Sequence, residues 1–168
     1  STTISGSPSV IDFNSIFLAD KAYQIVFEGI QPATDNAGLR MRFSNNGGVS
    51  FISSGYTYQA FRSAVGSVGS SASSGSDSAI VLTTGGRSLS GATMSGELNI
   101  IDPNSSDHRK YIDSKFTGTF KTTDTTSGIE FCGAQLVNAN TMDSLRLFWS
   151  AGNFVNVGKI TVYEKALT

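Results

Sequence analysis

The sequence predicts an all-β domain, a jelly-roll-like antiparallel β-sandwich. Three observations point to it. Apolar and polar residues alternate in one short run after another, the period of a half-buried strand. The runs are separated by Gly, Ser, Asn and Asp, the residues of turns. No stretch carries the 3.6-residue period of a helix, and long Leu/Glu/Lys/Ala segments are missing.

The elements follow in order. "SVIDFNSIFL" opens the chain, with Val10 as the expected start of the first strand. In "AYQIVFEGI", Tyr23, Ile25 and Phe27 share one face and Gln24 and Glu28 the other. The loop "QPATDNA" carries Pro32 and the turn pair Asp35-Asn36. "GLRMRFSNNGGVSF" reads as a hairpin, because Asn-Gly between alternating runs accepts the positive φ of a tight turn. "SGYTYQAFRSA" places Tyr56, Tyr58 and Ala60 on one face. The Gly/Ser-rich stretch 66–78 lacks apolar anchors and reads as a mobile, exposed loop. Beyond it come "AIVLTT", "TMSGELNII", "YIDSKFTGTF", "GIEFCGAQLV", "DSLRLFWS" and "NFVNVGKITVYEK". The expected core holds Ile25, Phe27, Leu39, Met41, Phe43, Leu98, Phe116, Leu147 and Ile160. About nine or ten strands of this spacing fit a sandwich or barrel.

A chain of 168 residues suffices for one domain, 1–168, with its own core. A net charge of −1 provides no basic face, so no nucleic-acid partner is expected. The single cysteine, Cys132, excludes an intrachain disulfide. The segment "STTISGSPSV" has neither a basic start nor an apolar core, so no retained signal peptide is expected. No run approaches the ~18 apolar residues of a membrane span, so no membrane insertion is expected.

Two arginines, Arg40 and Arg42, share the polar face of one short strand. They line a ligand or partner site, or they form the solvated side of a sheet. If "AYQIVFEGI" folds back on "GLRMRFS", parity sets Glu28 and Arg40 on one outer face. Such a pair contributes roughly 0.2–1 kcal/mol. Tyr56, Tyr58, Phe61, Arg62 and the only tryptophan, Trp149, are further candidates for a partner or sugar contact.

Catalytic chemistry is weakly signalled. Ser105, Asp107 and His108 have the composition of a triad, but neighbours in one polar turn rarely point at one another. The segment Asp102–Asp107, with Asp113 beyond, offers oxygen ligands for a cation. It lacks the glycine of a calcium loop, and Asp113 falls in a strand. One Cys and one His give no zinc spacing. "GGRSLSG" lacks the Lys-Ser/Thr of a phosphate loop. No carboxylate pair of a glycosidase stands out. Neither a cofactor nor a metal is expected, and a hydrolase ranks last.

Two segments carry a family resemblance: Tyr23 to Phe61, and "LRLFWSAGNFVNVGKITVYEKA" from Leu145 to Ala166. Their "L-R-x-R-x-S", Gly-rich turn, "Y-x-Y" and "S-x-G-N-F…G-x-I-x-x-Y" resemble the β-sandwich domains of tail fibres and related virion proteins of tailed bacteriophages. Glu164 stands where that pattern has a glycine. The resemblance implies a non-enzymatic virion protein assembled in the bacterial host cytoplasm. It implies a tail fibre, receptor-binding or capsid-decorating domain among other virion proteins, and a homo-oligomer, with a trimer favoured. Some such domains bind host-surface glycans. The competing expectation is a carbohydrate-binding module of a bacterial secreted protein.

Overall fold

The computed structural model describes residues 1–64, 67–85, 92–119, 127–138 and 140–166. All regular structure among them is strand: β1 (Thr2–Thr3), β2 (Val10–Phe13), β3 (Lys21–Ile30), β4 (Leu39–Ser44), β5 (Tyr56–Ala64), β6 (Ser67–Asp77), β7 (Ile80–Val81), β8 (Met94–Ile101), β9 (Lys110–Thr119), β10 (Ser127–Leu136), β11 (Ser144–Trp149) and β12 (Lys159–Ala166). They form two antiparallel sheets, a β-sandwich. The larger has the order β1-β12-β3-β8-β9-β10-β5-β6 and the smaller β2-β11-β4-β7.

The alternation seen in the sequence sets which face is buried. In β9 every second residue points inward: Lys110, Ile112, Ser114 and Phe116 are buried while Tyr111, Asp113, Lys115 and Thr117 are exposed. All nine expected core residues are buried. Phe27 and Phe116 meet with ring centroids 5.0 Å apart. Each fully buried Phe, Leu or Ile contributes about 1.5–3 kcal/mol, so this core needs no disulfide.

Three expectations about connectivity are corrected. The strand β3 does not fold back on β4. It pairs with β12 and β8 in the larger sheet, whereas β4 pairs with β11 and β7 in the smaller one. Glu28 therefore faces Lys159, at 3.6 Å, and not Arg40. A hydrophobic face on each strand is satisfied equally by two sheets packed together and by one hairpin, and the "QPATDNA" loop crosses between them.

The hairpin expected at Asn45–Gly48 makes its turn, with Gly47 and Gly48 at φ +70° and +84°. Its second arm does not become a strand. It returns one backbone hydrogen bond, Ile52 N–H to Phe43 O at 2.9 Å, before the chain crosses to the larger sheet. The side chains of Ser44, Asn46 and Asp143 hold the turn instead.

The stretch 66–78 was expected to be a loop, but Ser67–Asp77 forms β6, the edge strand paired with β5. Small side chains offer little packing, yet the backbone groups of β5 need partners, and β6 supplies them. The pairing slips twice, between Tyr56 and Tyr58 and between Arg62 and Ala64.

The first and last strands close the sandwich. The strand β1 pairs with β12, and β2 pairs with β11. The two segments of the family resemblance also meet, at one end of the sandwich. There Ala33 N–H donates to Asn153 O at 2.8 Å and Val155 N–H to Gln31 O at 2.9 Å. Trp149 packs on Phe154 at the same corner, with centroids 5.4 Å apart.

Candidate functional site

The residues singled out in the sequence do not gather in one place. Arg40 and Arg42 lie on the outer face of the smaller sheet, as parity requires. Arg42 and Arg146 stand directly opposite each other, a like-charge pair. Asp12 relieves it by accepting two hydrogen bonds from Arg146, each 2.7 Å. Each guanidinium also covers a ring: Arg146 lies 4.1 Å from the Phe51 centroid and Arg42 5.0 Å from that of Phe148. Arg42 further donates from Nε to Ser78 O at 2.8 Å.

Arg40 and Tyr58 are brought together around Asp77. The Tyr58 hydroxyl donates to Asp77 Oδ2 at 3.2 Å. Burial pushes the Asp77 carboxyl up, but bonds from Ser78 and Tyr58 and the charge of Arg40 outweigh it. That carboxyl lies below its ordinary value.

Tyr56 and Trp149 are not surface residues. Tyr56 is fully buried and Trp149 nearly so. Tyr56 begins a strand whose inward positions are 56, 58 and 60, so its ring belongs to the core, and Tyr58 packs against that core from a partly buried position. Burial pushes its phenol far above the ordinary range. Arg62 stands opposite Glu130 across the β5–β10 ladder. Glu130 is itself buried, and burial pushes its carboxyl up to about 7. The Thr84 N–H at 2.6 Å and the Arg62 charge act against that shift. Cys132 is buried beside Glu130, and burial pushes its thiol up to about 12, away from nucleophilic use.

The segment Asp102–Lys110 holds a cation of its own. The Lys110 ammonium is buried and donates to the carbonyls of Ser105 and His108. Asp102 and Asp107 supply opposing charge. This ammonium is held by the backbone of the same segment that the sequence offered to a metal. Among the described residues no group of three His, Cys, Asp or Glu side chains is arranged to hold a metal ion.

Asp102, not Asp107, approaches His108, with Oδ2 3.6 Å from Nε2. Ser105 Oγ lies 3.4 Å from Nδ1. Both distances exceed the roughly 2.6–3.2 Å reach of proton transfer. Ser105 Oγ also accepts the Asp107 N–H at 3.0 Å, which is how a serine closes a turn.

Of the outer face of the larger sheet, the sequence singled out Phe61 but not Tyr111, Phe131 or Tyr163. Phe61, Phe131, Tyr111 and Tyr163 are each about half exposed there, with Ile101 beside them. The register aligns these side chains in rows. Phe131 stands between Phe61 and Lys115, Gly133 between Gln59 and Asp113, and Gln135 between Thr57 and Tyr111. Around Gly133 opens a shallow depression of about 370 Å³, lined by Thr57, Gln59, Ser74, Tyr111 and Gln135 among others. A second of about 320 Å³ lies on the same sheet between β3, β8 and β9. The signal for this face was present in the alternation of "YIDSKFTGTF", which sets Tyr111 with Asp113 and Lys115 away from the core.

Neither the family models nor the curated proteins contain a match to this chain.

Proposed function

We propose that this chain is a non-enzymatic structural domain of a tailed-bacteriophage virion: a tail fibre, receptor-binding or capsid-decorating domain. It is assembled in the bacterial cytoplasm and works as a homo-oligomer, with a trimer favoured. The observation that carries the proposal is the exposed aromatic face on the larger sheet. Half-exposed Phe61, Phe131, Tyr111 and Tyr163 on one sheet are the kind of surface that meets a partner. The sequence resemblance to phage β-sandwich domains supplies the kind of partner, other virion proteins and the host surface. The resemblance rests on residues that build the corner at Ile30–Pro32 and Asn153–Phe154, so it bears on fold more than on a ligand.

A second reading is a carbohydrate-binding module of a bacterial secreted protein. The depression around Gly133 favours it, because a shallow aromatic and amide-lined surface suits a sugar. Antibody against the purified domain separates the two. Gold label on purified phage particles under the electron microscope is the expected result. Label confined to protein in the culture medium, with none on particles, overturns the virion assignment. Light scattering on the purified domain should give three times the mass of one chain. A monomeric mass removes the oligomer from the proposal.

A further inference from the structure

Gly133 sits in the middle of β10, an interior strand of the larger sheet. Glycine weakens a strand interior, and it is found there at bulges, at bends or where another group comes close. The first two reasons fail. Pairing runs through Gly133 in unbroken register on both sides, and its φ is not positive. Crowding within the domain fails too, since a Cβ at this position would meet nothing within 4 Å. Gly96 in β8 is the contrast: there a Cβ would fall 2.3 Å from Lys115 O. Gly29 in β3 also has open space, but its φ of +62° at the register shift between Phe27 and Ile30 accounts for it. Gly75 in the edge strand has open space as well, and it adjoins Ser74 of the same depression.

What remains is approach by something outside the domain. Along a strand, same-face residues lie roughly 6.7 Å apart, and neighbouring strands about 4.8 Å apart. The clearing over Gly133 is therefore about 13 Å between the Phe131 and Gln135 rows and about 10 Å between Gln59 and Asp113. One six-membered sugar ring with its hydroxyls has that footprint. The volume of about 370 Å³ lies at the small end of ligand sites.

The surrounding chemistry narrows the class. Tyr111, 52% exposed, offers an aromatic face whose negative quadrupole attracts the slightly positive C–H edge of a sugar ring. Gln59, Gln135 and Thr57 both donate and accept, as hydroxyl groups require. Asn99 Nδ2 donates to Asp113 Oδ1 at 3.0 Å, which orients that carboxylate at the rim as an acceptor. Lys115 and Asp113 are of opposite sign, so the clearing carries no excess charge to select a phosphate or sulfate.

We infer that the clearing over Gly133 binds one ring of a neutral, hydroxyl-rich sugar. Tyr111 is the stacking platform, Gln59 and Gln135 bond the hydroxyls, and Gly133 is the bare floor. The inference rests on the attachment proposal only for the source of the sugar.

The test uses immobilised neutral hexose and N-acetylhexosamine oligosaccharides, with hits confirmed by saturation-transfer NMR on the free saccharide. Two variants go with it. Gly133→Val fills the clearing with a strand-favouring side chain whose Cβ meets nothing within 4 Å. Its melting temperature should be equal or higher, and its affinity at least tenfold lower. Tyr111→Ala should fold normally and also lose at least tenfold. Absence of binding by the unsubstituted domain to every saccharide overturns the inference. So does unchanged affinity in either folded variant. A change of mass in solution on Gly133→Val also overturns it, because the glycine would then admit a second protein copy. Particle labelling reads the virion proposal separately, so the two can fail independently.

Discussion

The hydroxyl of Tyr56, on the larger sheet, accepts the backbone N–H of Phe43, on the smaller, at 2.8 Å. It also donates to Ile52 O at 3.1 Å. One side chain thus ties the two layers through the core. It also satisfies an N–H at the end of β4 that pairs with no neighbouring strand.

Tyr56→Phe keeps the ring and removes the tie. The Phe43 N–H is then buried without a partner, at a cost of about 1–3 kcal/mol. Denaturant unfolding should show a lower midpoint with an unchanged slope. Tyr58→Phe, which loses only a partly exposed bond to Asp77, should cost less than about 1 kcal/mol. Equal losses in the two variants would show that the tie between layers has no special weight.

Stability should fall as pH rises from about 4.5 to about 7. The Glu130 carboxyl titrates near 4.5 when unfolded and is pushed up to about 7 by burial. Across that window the folded state holds more protons than the unfolded one, so raising pH favours unfolding. The full effect is roughly 3 kcal/mol, with the opposing charge of Arg62 already included in the shift. Glu130→Gln should flatten the profile of melting temperature between pH 4.5 and 7. A profile with the same slope in that variant would place the titration elsewhere.

Lys110→Met removes the ammonium seated among the carbonyls of Ser105 and His108. Those acceptors lose their donor, and Asp102, which has a buried oxygen without a bond, loses a compensating charge. The expected loss is about 1–3 kcal/mol. Because this cation is part of the chain, millimolar calcium and a chelator should give the same melting temperature in the unsubstituted domain. A rise with calcium would show that the segment takes a metal after all.

Asp12→Asn leaves Arg42 and Arg146 opposed, with no carboxylate on the other side of Arg146. A partly exposed pair of this kind is worth about 0.2–1 kcal/mol, and the uncovered repulsion adds a similar amount. Raising the salt concentration should recover part of the loss, since exposed charges are screened beyond about 10 Å at 0.1 M. A loss that ignores salt would mean that Asp12 acts through packing.

The faces of the strands were legible because alternation reports burial directly: Leu39, Met41 and Phe43 in, Arg40 and Arg42 out. The partners of those faces were not. Alternation is identical whether β4 lies beside β3 or across the sandwich from it, and only the length and path of the connecting loop separates the two. The strand β6 was illegible for a related reason. Its pairing is made by backbone groups, which every residue carries, and its Ser and Gly side chains leave no apolar signature. Tyr56 was misplaced because a Tyr-x-Tyr pair reads as surface decoration until the depth of the strand is known. The clearing at Gly133 was invisible because it consists of a missing side chain whose neighbours, Gln59 and Asp113, lie 74 and 20 positions away in the sequence.

The pairing of the first strands with the last also bears on synthesis. Residues 2–13 have no ladder partner until Ser144–Trp149 and Lys159–Ala166 exist. At ~5–20 residues per second on the ribosome, that wait lasts roughly 7–30 seconds. During it the central ladder from β3 through β8, β9, β10 and β5 can form, while the smaller sheet lacks β11, the strand that joins β2 to β4. The face that the smaller sheet will cover stays open to other nascent copies. Closure is thus a late, long-range step, slow in the way of all non-local β pairing. The moment of greatest aggregation hazard for this chain falls just before its final strands emerge.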